Sequence, residues 1–132
     1  MLTHEQMLAL SISKTIPKPA NITQNKGENM RVYISGAITD QPDLNKPEFR
    51  RVEKLLRAMG HSPTNPHNLR HGKDDSWHTC MRRCINALMK CDAFVMLEGW
   101  ESSRGARIEK RLADDLGLVD MSRVIKEQQN GN

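Results

Sequence analysis

Aromatic side chains are scarce: Phe, Trp and Tyr make up 4% of the 132 residues, with a single tyrosine, Tyr33. So thin a set of π-faces does not furnish the stacking platform on which single-stranded nucleic acid is held. Cysteine is nearly as rare. Its three copies, Cys80, Cys84 and Cys91, are odd in number and confined to one segment, which argues against the disulfide framework of a secreted domain. With His78 nearby they invite comparison with a metal site. Zinc sites show paired short spacings that are missing here, so the three read as small buried side chains on one helix face, and no metal or other cofactor is expected. Long apolar runs are also absent. Nothing approaches the roughly 20 residues of a bilayer span, and residues 1–29 lack the apolar centre of a signal peptide. The expectation is a cytoplasmic protein with no membrane partner.

What is present fits one domain with a modest core, since 37% of the residues are hydrophobic. Twenty Lys and Arg against sixteen Asp and Glu give a net charge of +4. These charges are interspersed, which describes a solvated surface with a local bias toward anionic small molecules; a nucleic-acid partner is not expected.

Residues 1–29 form a polar, Pro- and Asn-containing lead in which His4 to Leu10 is either a helical turn packed on a partner or a frayed terminus. From Arg31 strand and helix signals alternate, and residues 30–126 are read as the domain, followed by a disordered polar tail over 127–132. Arg31 to Ser35 is a strand closed by Gly36; Pro47 to Met59 is a helix stopped by Gly60; His61 to Pro66 allows a brief second strand. A polar loop over Asn65 to Asp75 has the length of a flap. Ser76 caps a helix to about Lys90, Asp92 to Leu97 is a third strand, and Ser103 or Arg104 starts a helix through Leu116. Val119 to Ile125 is expected to be a last short strand.

Such alternation calls for a parallel sheet covered on both faces, with ligands beyond the carboxyl ends of the strands. Three segments meet there: Ser35-Gly36-Ala37-Ile38, Asn65-Pro66 and Gly99 to Gly105. The last is the most informative. A strand ending in a Gly/Ser-rich turn that opens a helix gathers free N–H groups and the positive helix end at one point, with the carboxylate of Glu109 one turn inside. Ser102 and Ser103 serve equally as ordinary N-caps or as phosphate contacts. Arg104 and Arg107 add charge to a phosphate or lie in solvent, and an isolated Glu is by default a solvated helix acid.

Val32-Tyr-Ile-Ser-Gly-Ala-Ile38, the helix ending in Gly60, Asn65-Pro66, Cys91-Asp-Ala-Phe-Val and Gly105-Ala-Arg-Ile-Glu109 before Leu116-Gly117 together resemble the nucleoside 2-deoxyribosyltransferase superfamily. The likeness spans roughly residues 31–118, and Gly-x3-Glu after a strand is its most specific element. It is closest to a small bacterial and phage branch with a Gly-Trp-Glu-x-Ser-x-Gly-Ala-x-x-Glu signature. The resemblance implies a flavodoxin-like three-layer α/β sandwich with a short parallel sheet of four or five strands. It also implies cleavage of the N-glycosidic bond of a deoxynucleoside or its monophosphate, with Glu109 as nucleophile and Tyr33 as an orienting residue.

The same resemblance sets Ser103 where enzymes of free nucleosides carry Asp and nucleotide hydrolases carry Ser, which favours a nucleoside 5′-monophosphate and hydrolysis over transfer. Ser35, Gly36, Ala37, Ile38, Asn65, Ser103, Arg104 and Gly105 are then the expected substrate contacts, Trp77 or Trp100 flanks the base, and a homodimer or higher oligomer is implied. One position departs from the pattern: Cys84 stands where the family carries an aspartate that holds or protonates the base. A neutral thiol is a poor general acid. Either Asp92, Glu98, Glu101 or a histidine between positions 67 and 78 takes the task, or the protein is a non-catalytic nucleotide sensor or sponge. Asp92 has the further reading of a structural strand-start residue.

Overall fold

In strand β1 (Arg31–Ser35) successive side chains alternate between two faces, and residues 32–35 are all buried. Val32 and Ile34 join one apolar cluster with Phe49, Val52 and Leu56, while Tyr33 joins another with Leu88, Phe94 and Ala106. Strand β3 (Ala93–Met96) divides in the same way, Ala93 and Val95 to the first cluster and Phe94 and Met96 to the second. A strand buried on both faces needs helices above and below it, and that requirement organises the molecule.

The structure is a computed structural model and describes residues 29–130. The N-terminal lead, including the turn expected over His4 to Leu10, lies outside the described residues. Helix α1 (Lys46–Ala58) and helix α4 (Ser122–Asn130) cover the first face, while α2 (Trp77–Met89) and α3 (Arg104–Asp115) cover the second. Between them lies a four-stranded, all-parallel sheet in the order β2-β1-β3-β4, where β2 is Ser62–Thr64 and β4 is Val119–Asp120. This is the expected flavodoxin-like sandwich, with the strand count at the low end of the range. The order reverses after β2, so the chain leaves β1 toward β2 on one side and leaves β3 toward β4 on the other, which opens a crevice between the carboxyl ends of β1 and β3.

Local chemistry explains the boundaries. Ser76 and Ser103 cap α2 and α3, their hydroxyls accepting the N–H groups of Thr79 and Ala106. Gly60 follows α1 at φ 91°, in the left-handed region where a residue without Cβ ends a helix at low cost.

One element differs from expectation. Val119 to Ile125 is not a strand throughout: pairing stops at Asp120, and α4 carries the chain through Asn130, into what was expected to be a disordered tail. Met121 and Ile125 bury at a four-residue spacing that suits one helix face, and the Ile125 N–H closes the turn by donating to the Met121 carbonyl at 3.0 Å. Ser122 fixes the switch by accepting the Met96 N–H on its hydroxyl, while its own N–H donates to Asp120 Oδ1.

Leu56 is fully buried in the first cluster, whereas Lys54 is exposed. Leu56→Ala is expected to lower unfolding free energy by about 2–5 kcal/mol, and Lys54→Ala to change it by less than about 0.5 kcal/mol, as read from urea denaturation.

Candidate active site

Alternation along β1 sends Tyr33 and Ser35 to the face covered by α3, where the second turn of that helix presents Glu109. The three meet below the surface. Tyr33 Oη donates to Glu109 Oε2 at 2.7 Å and Ser35 Oγ donates to Oε1 at 2.6 Å, so each carboxylate oxygen has its own hydroxyl donor. Glu109 is 6% exposed, Ser35 and Tyr33 less. Burial pushes the Glu109 carboxyl above its usual range, while the hydroxyls of Ser35 and Tyr33 oppose that shift by stabilising the anion. Burial, reinforced by the Glu109 charge, raises the Tyr33 phenol well above its ordinary value. Tyr33 is therefore a fixed donor near neutral pH.

Glu109 opens onto a cavity of about 330 Å³ at the carboxyl edge of β1. Tyr33, Gly36 and Ile38 form its floor; Ser103, Gly105 and Ala106 bring the start of α3 to one side. Trp77, Met81 and Cys84 bring α2 to the other, and His67, His71 and Asp75 from the flap, with Leu44, complete it. Among the described residues no Lys or Arg lines this cavity. An anion entering it would meet helix N–H groups and hydroxyls rather than a Lys or Arg side chain. Gly36 is required for the floor, since a Cβ there would stand 2.9 Å from Leu97 side-chain atoms.

Several expected site residues lie elsewhere. Asp92 is at the opposite, amino end of β3, where its carboxylate accepts the Arg31 backbone N–H at 3.0 Å and pairs with the Arg31 guanidinium at 3.1 Å. It is the structural strand-start residue, because the end of a strand at which a residue sits decides which edge of the sheet it can serve. Ala37 is buried and accepts the Asn45 amide on its carbonyl. Asn65 does not line the cavity: its side chain caps the His67 N–H at 3.0 Å and donates to Glu53 at 3.1 Å, which anchors the root of the flap. Arg104 lies over the Trp77 ring, 4.2 Å from its centroid, outside the cavity walls.

Trp77 lines the cavity, whereas Trp100 packs with Phe94 and Leu112. Trp100, Glu98 and Glu101 border a second, larger notch of about 550 Å³ on the α1 and α4 side. Its acids and bases are intermixed, Lys110 standing between Asp114 and Asp120, and none of those acids shares the Glu109 cavity. Cys84 does: burial pushes its thiol up to about 11, and the Glu109 charge adds to the rise.

Leu44 was missed by sequence reading. It sits in the turn Pro42–Asn45 with φ 53°, a left-handed conformation that nothing in its residue type foretells.

A buried, doubly hydrogen-bonded carboxylate at the crevice of a small doubly wound sheet defines the class: an α/β sandwich with one acid held at the strand ends. More particularly, the chain belongs to the family described as Domain of unknown function (DUF4406), whose model matches residues 30–121. No curated protein matches it.

The raised Glu109 carboxyl has a thermodynamic consequence. A group whose folded pKa lies above its unfolded value contributes stability below the unfolded pKa and loses it as pH rises through the folded one. Glu109→Gln keeps hydrogen-bonding capacity without the charge. Urea denaturation at pH 4 and pH 7 should show the variant gaining stability relative to wild type as pH rises from the ordinary Glu value of about 4.3 toward neutrality. An unchanged difference would refute that electrostatic account.

Proposed function

We propose that the protein is an N-glycosidase acting on a (deoxy)nucleoside 5′-monophosphate, with Glu109 as nucleophile. One observation carries the reading: a carboxylate below the surface, oriented by Tyr33 and Ser35, faces a cavity of about 330 Å³. Ligand sites begin at about that size. Glycosidic cleavage develops positive charge on the sugar ring, and a fixed anion beside the anomeric carbon stabilises it before bonding to that carbon. The resulting ester is resolved by water or by a second base.

Support for a 5′-phosphate comes from the start of α3. Ser103 uses a hydroxyl lone pair to accept the Ala106 N–H, which leaves its own O–H free to donate, and Gly105 lets backbone approach. The Trp77 ring at the cavity wall supplies an apolar plane for a base. Self-association belongs to this reading; its support is apolar surface on the helices, with Met89 41% and Leu116 55% exposed. The competing reading, a sensor that binds nucleotide without turnover, draws on the poor acidity of Cys84.

Incubation with each deoxynucleoside monophosphate, followed by chromatography for free base, separates the two. Release of base that Glu109→Ala abolishes supports the glycosidase; tight binding with no base released sinks it in favour of the sensor. In the same assay Ser103→Asp, which still caps the helix, should raise KM for the monophosphate about tenfold or more and leave the free nucleoside nearly unaffected, because a carboxylate at that point repels phosphate.

A further inference from the structure

A carboxylate nucleophile breaks a bond to a nitrogen base readily only if a proton reaches the departing base. The helix position that faces Glu109 offers Cys84, whose thiol, pushed up to about 11, holds its proton too tightly for that task near neutral pH. Tyr33 is committed to Glu109. Asp75 is kept as a carboxylate: the Arg83 guanidinium lowers its pKa most, and the Gly72 N–H adds to that. It is an acceptor, not a donor.

The described histidines divide sharply. His61 sits at the amino edge of the sheet, where its Nδ1 accepts the Met30 N–H. His78 stacks edge-on against Trp77 and lies outside the cavity walls. His67 lines the cavity, but its ring packs against Phe49 with centroids 4.9 Å apart, its Nε2 is bonded to the Leu44 carbonyl at 3.0 Å, and burial lowers its pKa. It is a neutral wall residue.

His71 differs from all three. It lines the cavity from the flap, and its Nε2 is 3.0 Å from the Pro66 carbonyl oxygen. A carbonyl only accepts, so Nε2 must carry hydrogen, and Nδ1 is the nitrogen left for other chemistry. The Asp75 carboxylate is close enough to feel the charge of His71.

Resting on the glycosidase reading, we infer that His71 is the catalytic proton donor to the departing base, a role filled from the flap rather than from α2. In the first step a Glu109 oxygen bonds to the anomeric carbon, the carbon–nitrogen bond breaks, and the electron pair left on the base takes the proton from His71 Nδ1. In the second, His71 Nδ1 takes a proton from water as the water oxygen bonds to the anomeric carbon. The ester carbon–oxygen bond breaks, and Glu109 returns to a carboxylate. The Pro66 carbonyl holds the ring in place throughout.

The test compares two leaving groups on the full-length protein: the natural base of a deoxynucleoside monophosphate, and p-nitrophenolate on the same sugar phosphate, which departs without protonation. His71→Asn, with His71→Gln as a second variant should the first fold poorly, is expected to lower kcat for base release about a hundredfold or more with KM within about threefold. The first-turnover burst of p-nitrophenolate, which precedes the water step, should stay within about threefold of wild type, whereas Glu109→Ala abolishes both.

Equal loss on both leaving groups, or retained base release, overturns the assignment while leaving Glu109 as nucleophile. A wild-type protein that cleaves only the p-nitrophenyl compound does the same. No cleavage of either compound overturns the function itself, and this role with it.

Discussion

The interaction on which the rest depends is the pair of short hydrogen bonds from Tyr33 and Ser35 to Glu109. A carboxylate this deeply buried is tolerated only where its oxygens have donors, since an unpaired one would be protonated or would drive local opening. Both donors come from one strand, two residues apart, so strand pleat sets their common direction. The register of β1 against β3, Tyr33 beside Phe94 and Ser35 beside Met96, places them under α3. A one-residue slip would send both hydroxyls to the opposite face and leave the acid without partners.

That constraint explains the division of labour between the two sides of the sheet. The α1 and α4 side is an apolar cluster around Phe49, Val52 and Leu56, and it holds the strands in place. The α2 and α3 side mixes apolar contacts with Tyr33, Ser35, Cys84 and Glu109, and its packing stops short at the carboxyl edge, where the cavity lies. The flap completes the enclosure through carbonyl, carboxylate and imidazole contacts rather than apolar burial. Pro66 holds His71, Asn65 caps His67, and Arg83 pairs with Asp75. Polar tethers of this kind let a loop present ionisable groups at a site while its backbone stays close to water.

Much of this was legible in the chain. The apolar runs at Arg31 to Ser35 and Asp92 to Leu97, the serines ahead of α2 and α3, and the glycines closing α1 and α3 mark their elements within a residue or two, because short-range sterics and capping act locally. The carboxyl-edge meeting of Gly36, Pro66, Ser103 and Gly105 follows from parallel topology alone. Asp92, Glu98, Glu101 and Trp100 were harder to place. Each stands within a few residues of β3, but the end of the strand and the face of the sheet decide its surroundings, and neither is written in residue type. The final helix was misread because Met121 and Ile125 fit a short apolar strand as well as a four-residue helical step until the α1 face is there to receive them.

The sequence by itself determined the alternation of strands and helices from β1 through α3, the parallel sheet, and the positions of the acid and hydroxyls along the chain, since these rest on periodicity and on caps and turns spanning a few residues. Only the tertiary structure decided which of those groups share a space. Packing across the sheet brings residues 74 and 76 positions apart within hydrogen-bonding distance of one another and moves Asp92 to the far edge. Burial, which no single residue carries, raises the Glu109 carboxyl and silences the Cys84 thiol.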